Sequence, residues 1–357
     1  MSLFYIEENN IILKAVDRFH SKLQALNPKY LEISDYNKDY LIKYLNNFYF
    51  YMSSYKQLLQ KAVRKLIKPV SESTFIDYGG GCGLLSFLAK ETGFRTVIYN
   101  DINNDSVKDA QHISKKLGIT IDLFIPGDVD DLINEINNHS ISPDLICSFD
   151  VLEHIYDLES WIKSIAGLNR EFYLLFMTSA NSCNPFIFKR LKNLHEKSEY
   201  QGYEKNIRHN ESFLNTSFLE ERKKIINNKF PGLKEEEVNL LALKSRGLIK
   251  DLIEKLAENY IGTGKVIYKI EHPTNTCDPY TGSWTEKLID IKHLRRLITS
   301  YGLYTSISNS FYGYNNNKLL NAIKYMLNLA IRVTGPGNLL ISPTFTLEIC
   351  KSNTKKI

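Results

Sequence analysis

Long hydrophobic runs are missing from this chain of 357 residues. No stretch approaches the ~18 consecutive apolar residues of a membrane-spanning helix, so no membrane insertion is expected. Glu7 and Glu8 stand where a secretory leader would carry basic residues and then an apolar run, so no leader is expected either. Cysteine is sparse and widely spaced: five residues, Cys82, Cys147, Cys183, Cys277 and Cys350, with no C-x-x-C pair. That excludes the usual disulfide framework and thiolate zinc signatures, and a reducing, cytoplasmic setting is expected. An excess of one charge is also lacking. The 45 basic and 40 acidic residues are interleaved and leave a net +5, which permits an anionic partner without demanding one. Internal repeats and low-complexity tracts are absent. With 43% hydrophobic residues the chain can bury a large core.

Glycine is concentrated in one place. Thr74–Gly83 reads Thr-Phe-Ile-Asp-Tyr-Gly-Gly-Gly-Cys-Gly: a short apolar strand, an acid, then a loop that is nearly all glycine. Leu84, Leu85, Phe87, Leu88 and Ala89 follow at helical spacing. A strand feeding a helix through glycines builds a nucleotide-type pocket, because glycine permits positive φ and lets a ligand touch the backbone. Around this stretch four parts are expected: an N-terminal helical cap over 1–70, a Rossmann-like core over 71–184, a helical insertion over 185–270, and a C-terminal part over 271–357 that completes the sheet. In the cap, Ile12, Val16, Phe19, Leu23 and Leu26 form one stripe and Leu41 to Leu66 a second, with Pro28 and the polar run Ser34–Asp39 between them. In the core, strand and helix patterns alternate, which implies right-handed crossovers and a mostly parallel sheet. The insertion reads as charged helices at Phe186–Leu194, Thr216–Asn227 and Lys234–Tyr260. Two closing strands with a helix between them suit an antiparallel pair at the sheet edge.

The motif is D-x-G-x-G-x-G: Asp77, Gly79, Gly81, Gly83. The dinucleotide fingerprint G-x-G-x-x-G fails at its third glycine, where Leu84 stands, and no Gly-Lys-Ser/Thr follows to make a P-loop. An acid ahead of the glycines favours a ligand with a cationic group. A second acid, Asp101, ends the next strand 18 residues beyond Gly83, where a carboxylate can accept from both hydroxyls of a ribose. Gly127-Asp128-Val129 follows the third strand, placed to meet an adenine edge. The fourth strand ends in Cys147-Ser148-Phe149-Asp150-Val151-Leu152-Glu153-His154. All four stretches fall at carboxyl ends of strands, where an open α/β sheet binds ligands.

These motifs, in this order, resemble the class I S-adenosylmethionine-dependent methyltransferases, in particular the bacterial group whose fourth strand ends in D-V-L-E-H, here Asp150–His154. The resemblance covers residues 70–182 well and 271–351 more loosely, and it implies a seven-stranded Rossmann-like sheet with an antiparallel last strand. It implies S-adenosyl-L-methionine as cofactor, with Asp77, Gly79, Gly81 and Gly83 at its amino acid part. Asp101 is then at the ribose, Asp128 and Val129 at the adenine, and Phe149 and Asp150 near the sulfonium. His154 is the candidate base, needed only if the acceptor must lose a proton. No metal is expected, but Asp150, Glu153 and His154 are the residues to test, because similar sequences place an acid, a Glu and a His on a divalent ion. His195, His209 and His272 are weaker candidates, expected at the surface; Trp284-Thr285-Glu286, Tyr312 and Tyr314 are candidates for the acceptor side.

The acceptor is expected to be a small molecule or saccharide, methylated on oxygen or nitrogen. The N/D-P-P-Y/F turn of adenine-amino methyltransferases and the Pro-Cys of cytosine-C5 enzymes are both missing, as is a basic run interleaved with aromatics, so a nucleic acid partner is disfavoured. The alternatives are an RNA-end methyltransferase with a divalent metal and a non-catalytic S-adenosylmethionine-binding regulator on the same fold. Oligomeric state is not written in these residues.

Overall fold

The computed structural model describes residues 3–168, 170–202, 216–270, 272–314, 317–335 and 337–351; His209 and the lysines at 355 and 356 lie outside them. Seven strands form one sheet: β1 (Thr74–Tyr78), β2 (Thr96–Asp101), β3 (Leu123–Pro126), β4 (Leu145–Phe149), β5 (Phe172–Thr178), β6 (Tyr304–Asn309) and β7 (Phe345–Lys351). Their order is β3-β2-β1-β4-β5-β7-β6. The first five run parallel, and β7 lies antiparallel between β5 and β6. The expected doubly wound sheet and its antiparallel closing strand are both present.

The helices are α1 (Leu3–Gln24), α2 (Asp35–Asn46), α3 (Phe48–Val63), α4 (Leu84–Thr92), α5 (Asn104–Leu117), α6 (Val129–Asn138), α7 (Leu158–Gly167), α8 (Pro185–Tyr200), α9 (Phe218–Lys229), α10 (Glu235–Lys244), α11 (Lys250–Thr263), α12 (Ile291–Ser300) and α13 (Lys318–Thr334). Two compact units emerge. The first takes the described residues within Met1–Leu152, Leu158–Ser179 and Ile291–Ile357; the second takes Glu153–Asp157 and those within Ala180–Asp290.

In the first unit, alternate strand residues face opposite layers. Phe75, Val97, Tyr99, Leu145, Cys147, Leu175 and Met177 pack with residues of α1 to α5 in one core. On the other face Tyr78, Trp161 and Phe176 pack ring to ring, and Trp161 Nε1 donates to Tyr78 Oη at 3.0 Å. Both faces are covered, so the strands read as continuous apolar runs. The second unit has its own core, from Ile225, Ile226, Val238, Leu241, Ala242, Ile253 and Ala257 of α9 to α11. A buried ion pair joins Arg222 Nη1 to Glu199 Oε2 at 3.3 Å, and Thr276 Oγ1 also donates to Glu199, at 2.7 Å.

Three helical expectations differ in detail. The stripe Leu41–Leu66 is two helices, broken at Asn47 (φ −125°, ψ 33°). The polar run from Ser34 does not separate helices: Ser34 caps α2, its hydroxyl accepting from Asn37 N–H. Lys234–Tyr260 divides into α10 and α11 at Gly247, whose φ of +83° a helix cannot contain. Among the described residues, no helix is long and apolar enough to cross a membrane.

Helix α2 is fixed to α5 by one acid. Asp109, buried on α5, accepts from Ser34 N–H at 3.1 Å, from the Ser34 hydroxyl and from Asn37 Nδ2 at 2.8 Å. Asn37 in turn accepts from the Cys82 thiol of the glycine loop at 3.3 Å. Asp109→Ala leaves these donors buried without their acceptor and is expected to cost about 2–4 kcal/mol of stability, read as a lower urea midpoint with unchanged slope. An unchanged midpoint contradicts this anchoring.

Candidate active site

The glycine loop is held from below by β2. In the β1–β2 pairing Asp77 lies beside Tyr99 and Tyr78 beside Asn100. Asn100 O accepts from both Gly79 N–H and Gly80 N–H at 2.9 Å. Tyr99 Oη donates to Gly81 O at 2.7 Å, and Gly81 N–H donates to Asp101 Oδ2 at 2.9 Å. Gly79, with φ +70°, packs so that a Cβ would lie 2.6 Å from Val151 Cγ2. Gly80, which the motif treats as a free position, would place a Cβ 2.5 Å from the Tyr99 ring and 2.9 Å from Asp77 Oδ2. At Gly81 a Cβ would meet nothing of the described chain within 4 Å, so that face of the loop is open to a ligand.

Asp77 is buried beneath this loop. Its Oδ2 accepts from Ser86 N–H at 2.9 Å and from Ser86 Oγ at 2.7 Å, in the first turn of α4. Burial pushes its pKa up to about 7, and the nearby Asp101 adds to the rise. No lysine or arginine pairs with Asp77 among the described residues. The loop therefore sits over a desolvated acid that a cationic ligand would stabilise in its charged form.

The other predicted residues cluster at the carboxyl ends of neighbouring strands. Asp101 Oδ1 also accepts from Asn103 N–H at 2.8 Å, which orients the carboxylate. Asp128, exposed, caps α6: its Oδ1 accepts from Asp130 N–H at 2.8 Å and Asp131 N–H at 3.2 Å, and Asp131 reciprocates to Asp128 N–H. Val129 is buried below that cap. The Phe149 ring meets Tyr55 of α3 edge-on at 5.2 Å. Asp150 adopts φ +53°, donates its N–H to Met177 O and accepts from Ser179 N–H at 2.6 Å. The sequence reading missed Asn100, whose buried Nδ2 donates to Ile125 O and Gly127 O at 3.0 Å and so ties the second strand's end to the third's. It also missed Tyr36, which with the partly buried Tyr44 and the buried Tyr55 has its pKa raised by burial. The sequence signal was the tyrosine-rich run from 36 to 55.

The second unit holds His154. Its Nδ1 lies 3.0 Å from Trp284 O, a carbonyl that can only accept, so Nδ1 carries the proton and Nε2 presents a lone pair. Ligand atoms of Glu153, His154 and Glu286 lie within 4.8 Å of one another; Asp150 is not in this group. Glu153 is fully buried, and Glu286 Oε2 is buried with no hydrogen-bond partner among the described residues. Trp284 stacks on Tyr156 at 5.7 Å and donates Nε1–H to Tyr156 O. His195 is not at the surface: it is fully buried, with Nε2 3.0 Å from Glu286 O and Nδ1 3.3 Å from Thr274 Oγ1, because α8 turns it inward. His272 is half-buried, with Nδ1 accepting from Thr274 N–H. In the first unit Tyr312 is fixed through its backbone to Asn328, and Tyr314 is exposed.

A family model described as a methyltransferase domain matches residues 46–231, more than half of the chain. The chain belongs to the methyltransferase-domain family. No curated protein matches it. Solved structures similar to this methyltransferase chain include a SAM-dependent methyltransferase from Archaeoglobus fulgidus, 14% identical over 85% of this chain and 99% of that one, with a TM-score of 0.36. Another, an S-adenosylmethionine-dependent methyltransferase from Mesorhizobium loti, is 11% identical over 82% and 97%, with a TM-score of 0.38. A SAM-dependent methyltransferase from Aquifex aeolicus is 16% identical over 35% of this chain and 63% of that one, with a TM-score of 0.27.

The buried acid gives the ligand-free chain a pH signature. Asp77's folded pKa, about 7, lies above its ordinary 3.8, so the folded state favours the protonated form. The stability this contributes is complete below pH ~4 and is lost as pH rises through about 7. Asp77→Asn, whose amide oxygen can still accept from Ser86, is expected to gain stability relative to the parent between pH 4 and 8. Parallel unfolding curves across that range would contradict the raised pKa.

Proposed function

We propose that the chain transfers a methyl group from S-adenosyl-L-methionine to an oxygen or nitrogen of a small molecule or saccharide. The observation that carries this is the glycine loop: three left-handed glycines, an open face at Gly81, a buried carboxylate beneath and Asp101 at its rim, in a chain of the methyltransferase-domain family. Asp77 sets a negative field under the loop for the ammonium of the cofactor's amino acid part. Asp101, already oriented by Gly81 and Asn103, accepts from the ribose hydroxyls. Asp128 and Val129 border the adenine, and Phe149 and Asp150 border the reacting end. When bound, the cofactor supplies an activated methyl group on its sulfonium. The chain's own task is to align the acceptor with that methyl carbon, an orientation effect that can contribute several kcal/mol. Where the acceptor is a hydroxyl, His154 Nε2 takes its proton, with Nδ1–H held by Trp284 O. The interleaved charges, with no basic and aromatic groove, support a small acceptor, and the five free cysteines support a reducing compartment.

S-adenosylhomocysteine titrated calorimetrically is expected to bind the parent chain. Asp101→Ala is expected to bind about 10–100-fold more weakly, as for loss of a charged hydrogen-bond acceptor, and Gly81→Val not at all, since its side chain occupies the open face. Near-normal affinity in both variants contradicts the pocket.

The second unit supports a second reading, in which the His154 Nε2 lone pair is taken up by a metal ion instead of serving as the base. Glu153, His154 and Glu286 offer two carboxylates and an imidazole within reach of one ion, and the buried, unpartnered Oε2 of Glu286 fits such a ligand role. Oxygen-plus-imidazole ligation suits Mg²⁺ or Mn²⁺. Mn²⁺ titration is expected to show one site that Glu286→Gln weakens at least about tenfold, as for loss of an anionic ligand. No heat with the parent chain sinks this second reading and leaves the cofactor assignment intact.

A further inference from the structure

Helix α13 is built inside out. Asn328 and Ile331 are its buried residues; Asn328 exchanges hydrogen bonds with the Tyr312 backbone, and Lys324 Nζ on the same side donates to Gly313 O at 2.8 Å. On the opposite side Leu319, Ile323, Met326 and Val333 follow the 3–4 residue spacing of one helical stripe and are 75%, 52%, 63% and 80% exposed. An ordinary surface helix turns its apolar stripe to the core. Over 17 residues, about 26 Å of helix, this one turns it to the outside.

The charge along this part of the sequence is of one sign. From 291 to 347 the sequence contains no Asp or Glu, against six cations: Lys292, Arg295, Arg296, Lys318, Lys324 and Arg332. Lys318, Tyr325 and Arg332, seven residues apart, lie along one flank of the stripe and are exposed. A row of cations with an aromatic ring beside an apolar stripe is the layout of a helix lying in a lipid–water interface: the stripe enters the acyl boundary, tyrosine sits at headgroup level, and the cationic chains reach anionic headgroups. A two-fold pair of these helices would instead bring cations to cations with no carboxylate in the segment to pair with them, which disfavours a second copy as the occupant.

We propose that α13 docks the chain peripherally on an anionic membrane surface, its axis parallel to the bilayer. The test is sedimentation of the full chain with sucrose-loaded vesicles of phosphatidylcholine alone or mixed with phosphatidylglycerol. The parent chain is expected to pellet with the mixed vesicles and about tenfold less with the neutral ones, and added salt is expected to release it. The exposed-site variant Ile323→Glu with Met326→Glu is expected to remain in the supernatant with an unchanged thermal midpoint, and Lys318→Glu with Arg332→Glu to partition at least about tenfold less. Failure of the parent chain to pellet overturns the proposal, as does pelleting that neither variant reduces. A dimer in sedimentation velocity that Ile323→Glu with Met326→Glu dissolves, without vesicle binding, assigns the stripe to a second copy and also overturns it.

Discussion

The hydrogen bond from Gly81 N–H to Asp101 Oδ2 joins the glycine loop to the end of β2. A loop whose glycines sit at φ +70°, +51° and +81° has many alternatives in the unfolded chain, and glycine loses more freedom on ordering than any other residue. The end of β2 opposes that loss. Asn100 O collects two loop N–H groups, Tyr99 Oη binds the loop carbonyl at Gly81, and the Asp101 carboxylate takes the next N–H. Parallel pairing of β1 with β2 is what puts these consecutive residues under consecutive loop residues. The carboxylate that closes the loop is also the one proposed to accept from the ribose, and under that reading one group sets both loop shape and cofactor position.

The electrostatics follow from the same placement. Asp77 is buried to support α4 through Ser86, and its desolvation raises its pKa toward neutrality. Asp101 nearby raises it further. Two acids near one loop repel each other in the ligand-free chain and favour a ligand carrying positive charge. The phenols of Tyr36, Tyr44 and Tyr55, their pKa values raised by burial, keep their protons in this negative field and add no charge to it.

What could be read in the sequence was what is local or periodic. The glycine loop, the acids at strand ends and the antiparallel closing strand follow from spacing and from turn chemistry within a few residues. Helix breaks at Asn47 and Gly247 were hidden because the apolar stripes continue across them. Asp128 carries both a cap and a strand-end position, and only the structure shows its Oδ1 engaged by Asp130 and Asp131. Glu286 joins Glu153 and His154 across more than a hundred intervening residues, at φ +51°, and no spacing rule reaches that far. The stripe on α13 was legible as a helix, but which way it faces depends on Asn328 and Lys324 turning inward.

Hydrogen–deuterium exchange with and without S-adenosylhomocysteine tests the central claim most directly, because it reads where the ligand sits without requiring the acceptor. The account predicts slowed exchange at the ends of β1 and β2, over 78–86 and 99–103, and at 127–129, with α13 unchanged. Protection confined to other segments, or none at saturating ligand, would contradict the placement of the cofactor on the Asp77–Gly83 loop.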